Sequence, residues 1–191
     1  MNHSNSYKQQ EAIIDWLNDK NWQVFGTLKF LDGHSISKEI AEKDINNFFN
    51  RLDRTYLGSN LVKDNNRIER FVFYHTGKSG SNIHFHFLAK PNCQIDFFCK
   101  TAKCLWEATS KHSVPYEHLI IDEIRSKKGA TRYCLHEYPK LGENTLYLPA
   151  THRKPTAMSS NSLHRIRRLL KQQEKNEIII ENSRRRTSKK K

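Results

Sequence analysis

The chain is expected to fold as an α+β domain, with a central antiparallel sheet and helices packed against it. Three observations carry that expectation. Short runs rich in Val, Ile, Phe and Thr alternate with longer segments whose apolar residues recur every three or four positions. Two of the strand-like runs, residues 70–75 and 82–90, are separated only by Thr76-Gly-Lys-Ser-Gly-Ser81, a link that fits an antiparallel hairpin and is too short for a parallel crossover. The resulting order is helix, strand, helix, strand, strand, helix, strand, helix, which helices packed on one face of the sheet would bury economically.

Each element has its own justification. Residues 7–17 carry Ile13, Ile14, Trp16 and Leu17 at helix-compatible spacing and close in Asn18-Asp19-Lys20-Asn21, predicting a short leading helix. Residues 22–30 (Trp-Gln-Val-Phe-Gly-Thr-Leu-Lys-Phe) are strand formers, stopped by Leu31-Asp32-Gly33. From Ser37 onward, Ala41, Ile45, Phe48, Phe49, Leu52 and Tyr56 mark one face of a long helix. Ser37 serves as its cap, and Glu39 and Glu42 lie near the positive end of the dipole. Asp96 is expected to cap a further helix reaching about residue 110, with Phe98, Ala102, Leu105 and Trp106 inward. Pro115 ends that region and residues 118–124 read as the fourth strand. Ser126-Lys-Lys-Gly129 then leads into a short helix from 130 to about 138, which Pro139 is expected to stop.

Charge separates the chain into two parts. Across 191 residues the formal net charge is +13, which calls for an anionic partner, and nucleic acid leads because no basic amphipathic membrane helix is evident. Residues 165–191 alone hold 11 basic and 3 acidic side chains. Residues 1–150 are therefore read as the folded domain and 151–191 as a basic tail, helical from about 162 to 175 and disordered beyond. Arg165, Arg167 and Arg168 in that tail are expected to meet DNA phosphates. The start, Met-Asn-His-Ser-Asn-Ser-Tyr-Lys, has no apolar core of a signal peptide, and no apolar run is long enough to span a bilayer. Cys93, Cys99, Cys104 and Cys134 form no Cys-x-x-Cys pair, so four reduced thiols in a cytoplasmic protein are expected.

The chemistry begins at Asn82-Ile-His84-Phe85-His86-Phe-Leu-Ala-Lys90. Side chains alternate along a strand, so His84 and His86 project side by side, while Ile83, Phe85 and Phe87 take the packing face. Two adjacent imidazoles can hold one divalent ion. Downstream, Gly-Ala-Thr-Arg-Tyr133-Cys-Leu-His136-Glu137-Tyr138-Pro-Lys140 puts a tyrosine on a helix. A phenol is a weak nucleophile near neutral pH, but it can attack a phosphodiester that a metal ion polarises and holds in line. Such an attack would leave the protein joined to the cut strand by a bond that can be reversed.

A His-hydrophobic-His strand followed by a helical tyrosine resembles the HUH endonuclease superfamily, specifically its single-domain replication initiators. The resemblance spans about residues 22–140 and includes Phe25-Gly-Thr27-Leu-Lys-Phe30, which is similar to the family's first-strand motif. It implies an HUH fold related in topology to RNA-recognition domains. It also implies a metal site at His84 and His86, with Mn2+ or Mg2+, and Tyr133 as the nucleophile. The implied activity is nicking and joining of single-stranded DNA at an origin or hairpin through a 5′-phosphotyrosine, initiating rolling-circle replication of a plasmid or phage. The third ligand in such initiators is commonly a Glu on the preceding strand; His75 stands there, giving the three-histidine set that relaxases use. Where the family often has Lys or Gln after the tyrosine, this chain has His136 and Glu137, either of which could serve the metal or the phosphate. Tyr138 lies five residues after Tyr133 and so turns away from its face. Thr27, Lys29, Lys90 and Lys140 are further expected DNA contacts. The chain lacks a Gly-x-x-x-x-Gly-Lys motif, so unwinding would fall to a separate helicase. A transposase or relaxase would use the same chemistry; a non-catalytic nucleic-acid-binding protein or a water-using metal hydrolase would not form the covalent bond.

Overall fold

All four expected strands form. In the computed structural model, which describes residues 3–153 together with Arg168, Lys171, Gln172 and Lys175, the chain begins with α1 (His3–Asn18), β1 (Val24–Lys29), α2 (Lys38–Leu57) and α3 (Ser59–Lys63). It continues through β2 (Glu69–His75), β3 (His84–Lys90), α4 (Ile95–Glu107), β4 (Ile120–Glu123), α5 (Lys127–Cys134) and α6 (Tyr138–Leu141). The strands lie in the order β2-β3-β1-β4, every neighbouring pair antiparallel. The architecture is thus α+β, an antiparallel sheet with helices packed against it. No helix among the described residues is long and apolar enough to cross a membrane.

Strand alternation explains the main core. Val24, Leu28, Val72, Phe85, Phe87 and Ile121 point to one face and meet Ala41, Ile45, Phe48 and Phe49 of α2 and Phe98, Ala102 and Trp106 of α4. Gly26 stands opposite Phe87, and a Cβ there would run into the Phe87 ring, so the strand needs glycine for this close approach. Ser37 caps α2 as expected, its Oγ accepting from Ile40 N at 3.3 Å. The buried Asp53 of α2 ties that layer to β2, receiving Arg70 through two bonds of 2.7 and 2.9 Å.

Helices cover both faces rather than one. Phe71, Phe73 and Leu88 on the second face pack with Ile14 and Leu17 of α1, Trp22, Cys134, Leu135 and Tyr138. The physical reason is that β2 and β3 are apolar on both sides over most of their length, so a single helical layer would have left these residues in water. At the end of the sheet where β2 leads into β3, this layer is polar: the Cys134 carbonyl, Glu137 and Lys140 bond to His75, Thr76 and Gly77.

Three local expectations change. Asp96 lies in the first turn of α4, whose N-cap position is Gln94. The short helix starts earlier, at Lys127, because Ser126 Oγ accepts from Gly129 N and caps it. That helix ends at Cys134, before Pro139, which instead lies in the first turn of α6, where its missing N–H costs nothing. The folded chain also passes residue 150: Arg70 and His152 exchange backbone bonds of 2.7 and 2.9 Å along the outer edge of β2, shielding part of that edge. Most of the expected tail, including Arg165 and Arg167, lies outside the described residues; Arg168 is helical and exposed. None of the four cysteines is in a disulfide, and three of them are buried.

Candidate metal and nucleophile site

At the end of the second face where β2 leads into β3, pairing of the two strands sets His75 directly opposite His84. His86 follows two residues on, opposite Thr27 of β1. Directly paired residues share a face, so three imidazoles meet from two strands, with ring centroids 4.5 Å (His75 to His86), 5.0 Å (His84 to His86) and 5.3 Å (His75 to His84) apart. One ligating nitrogen from each lies within 4.8 Å of the other two.

Hydrogen bonds to carbonyls fix which nitrogen is free on two of the three histidines. His75 Nε2 donates to the Cys134 carbonyl at 2.8 Å, and His84 Nδ1 donates to the Asn82 carbonyl at 2.9 Å. A carbonyl oxygen only accepts, so His75 Nδ1 and His84 Nε2 keep their lone pairs. His86 Nδ1 bonds the Thr27 hydroxyl at 3.0 Å. His75 Nδ1 and His86 Nε2 are buried with no hydrogen-bond partner, an arrangement that costs free energy unless something electrophilic satisfies them. Burial, opposed by the Cys134 bond and Glu137, pushes His75 down to about 4. Burial, reinforced by the neighbouring histidines, holds His86 well below its ordinary value, and burial also lowers His84. All three are neutral near pH 7, the state in which imidazole binds a cation. Three neutral nitrogens with their other ring atoms anchored are a donor set that fits a divalent transition ion.

Tyr133 stands over this cluster. Its ring centroid is 4.9 Å from His86 and 5.2 Å from His136, and it is 53% exposed, which removes core packing as its role. Tyr138 is buried in the second core; because α5 ends at Cys134 and Tyr138 opens α6, helical spacing from Tyr133 does not set its direction. His136 is exposed and donates from Nδ1 to the Tyr133 carbonyl, leaving Nε2 3.7 Å from Glu137 Oε1. Glu137 is buried and faces His75 Nδ1 at 3.7 Å. Burial opposes its ionisation, but bonds from Thr76 and Gly77 and the nearby His75 and His136 outweigh this, so its carboxyl titrates below the usual value.

The remaining expected contacts divide. Lys29 is exposed opposite His84, on the site's own face. Thr27 is buried and engaged with His86, so it orients a histidine instead of meeting DNA. Lys90 sits at the far end of β3, about 20 Å along the strand from His84, and takes no part in the site. Lys140 is bonded to Thr76 Oγ1 at 3.1 Å and the Gly77 carbonyl at 2.9 Å. Phe25 escaped the sequence reading: its ring stacks on His86 at 5.6 Å and meets Tyr133 edge-on at 5.8 Å. Its two-residue spacing from Thr27 was the signal that could have found it. Comparison with protein-family models, curated proteins and solved structures finds no match to this chain.

Proposed function

We propose that the chain is a metal-dependent, sequence-specific single-strand DNA nicking and joining enzyme of the HUH type, acting through a 5′-phosphotyrosine at Tyr133 to initiate rolling-circle replication of a plasmid or phage. The observation that carries this reading is an exposed tyrosine packed against one of three clustered histidines, two of which hold a buried ring nitrogen without a hydrogen-bond partner. Water hydrolysis or simple DNA binding requires no such tyrosine.

His75 Nδ1, His84 Nε2 and His86 Nε2 would hold the ion, and three imidazoles suit Mn2+ better than Mg2+, which prefers oxygen donors and keeps its waters. When bound, the ion supplies Lewis acidity to a phosphate oxygen and to the departing 3′ oxygen. The Tyr133 phenolic oxygen attacks phosphorus, the bond from phosphorus to the 3′ oxygen breaks, and a free 3′ hydroxyl leaves as it takes up a proton. The phenolic proton goes to solvent or to the His136 Nε2 lone pair. Phe25 and His86 limit the tilt of the Tyr133 ring, and Lys29 offers its ammonium to an adjoining phosphate. Reversal by a 3′ hydroxyl rejoins the strand. The duplex would be opened by a separate helicase within the cytoplasm of the host cell.

The test is incubation of the protein with candidate-origin and random single-stranded DNA, with and without Mn2+, resolved on a denaturing gel. A Mn2+-dependent protein band heavier by the DNA fragment, absent in Tyr133→Phe, is expected. Cleavage without that band would make water the nucleophile, and binding without cleavage would favour a non-catalytic DNA-binding protein.

A further inference from the structure

The tyrosine and the histidines belong to different elements, so their separation depends on what joins α5 to the hairpin of β2 and β3. Tyr133 itself contributes ring contacts only through a half-exposed side chain. The polar connections lie just after it. Glu137 Oε2 accepts from Thr76 N at 2.9 Å and from the Thr76 hydroxyl at 3.3 Å, while Oε1 accepts from Gly77 N at 2.8 Å. Lys140 Nζ completes the arrangement from α6, donating to Thr76 Oγ1 and to the Gly77 carbonyl. Thr76 and Gly77 are the two residues that follow His75, and Gly77 has a φ of +68°, the left-handed conformation that glycine adopts freely.

We infer that Glu137 and Lys140 are positioning residues, clamping the Thr76-Gly77 turn to the end of the nucleophile's helix and so setting the distance between Tyr133 and the three histidines. Opposite charges on one corner grip opposite ends of the same turn: the carboxylate takes its N–H groups and the ammonium takes its carbonyl. Charge-assisted bonds of this kind are shorter and stronger than neutral ones. The link from His75 to the Cys134 carbonyl runs parallel to the clamp, so the hairpin is held at a ligand and at the turn beyond it. This inference rests on the nicking reading only for its consequence in catalysis; the clamp is a property of the free protein.

Glu137→Gln and Lys140→Met in the full chain test it. Glutamine replaces one acceptor oxygen by an NH2 group that cannot accept from the turn's N–H groups. In both variants, amide hydrogen exchange at residues 133–137 and 76–77 is expected to speed up. In Lys140→Met, Mn2+ affinity by calorimetry should be unchanged, and in both variants kcat for adduct formation should fall by about 10²-fold at constant KM, the scale of a small misplacement. A rival role for Glu137, ligation of the ion beside His75 and His136, predicts that Lys140→Met leaves both exchange and kcat at their wild-type values, and that result overturns the clamp. So does unchanged exchange in both variants. If Glu137→Gln fails to fold, Lys140→Met, altered at an exposed side chain, decides the matter alone. A wild-type protein that forms no adduct with any DNA would sink the nicking reading, while exchange would still decide the clamp.

Discussion

Thr27 shows how a buried hydroxyl can matter to a site it never enters. It holds His86 through Nδ1 and thereby aims Nε2 at the cluster. Thr27→Val keeps the shape and removes the bond, so Mn2+ affinity should fall by about 10- to 100-fold by calorimetry, the usual cost of losing such an outer partner. Tyr133→Phe should differ in kind. Its ring is 53% exposed and the variant loses only a hydroxyl, so stability should stay within about 0.5 kcal/mol in a urea titration while the covalent adduct disappears. Protonation also acts at this scale. Burial, then Arg70, pushes His152 down to about 4, and burial does the same to His75. Both folded values lie below the unfolded value of about 6.5, so on acidification the unfolded chain takes up these protons first. The stability they contribute is therefore complete above about pH 6.5 and is lost as pH falls toward 4. In metal-free protein Tm should drop by on the order of 5 °C between pH 7 and 4.5, and His152→Gln should flatten part of that slope.

At the scale of elements, the connection between α2 and β2 depends on a buried ion pair, even though both are apolar along their packing faces. Asp53 is fully buried and receives Arg70 at 2.7 Å, with Arg67 3.4 Å away, and the Ile68 amide also donates to it. Asp53→Ala leaves a buried guanidinium without its partner, and a loss of about 3–5 kcal/mol is expected from denaturant titration. Ser37→Ala removes a cap at the far end of the same helix and should cost only about 1 kcal/mol. The contrast follows from solvent access, since water can replace the lost cap bond at the surface and cannot reach Asp53.

For the whole molecule, the sheet separates stability from chemistry. Its first face carries the larger core, between α2 and α4, and its second face carries a smaller core that gives way to the histidines. Residues 165–191 carry 11 basic and 3 acidic side chains. For a chain ending at Arg153, DNA affinity should fall and the slope of log K against log salt should become shallower. An unchanged salt slope would mean that the folded layers, and not the basic tail, carry the phosphate contacts.

The sequence by itself determined the periodic parts. Alternation along residues 82–90 put His84 and His86 on one face, helical spacing put Phe48, Phe49 and Leu52 on another, and a six-residue link made the hairpin antiparallel; each depends only on local backbone geometry. The resemblance set His75 beside His84 and His86 as a third ligand, but left open which of His136 and Glu137 serves the metal and which the phosphate. Only the tertiary structure decided that His75 faces His84 across a strand pair, that Thr27 and Lys140 spend their polar atoms inside the protein, and that helices cover both faces. Register, hydrogen-bond partners and burial are set by which distant segments meet, and no local period in a chain encodes that meeting.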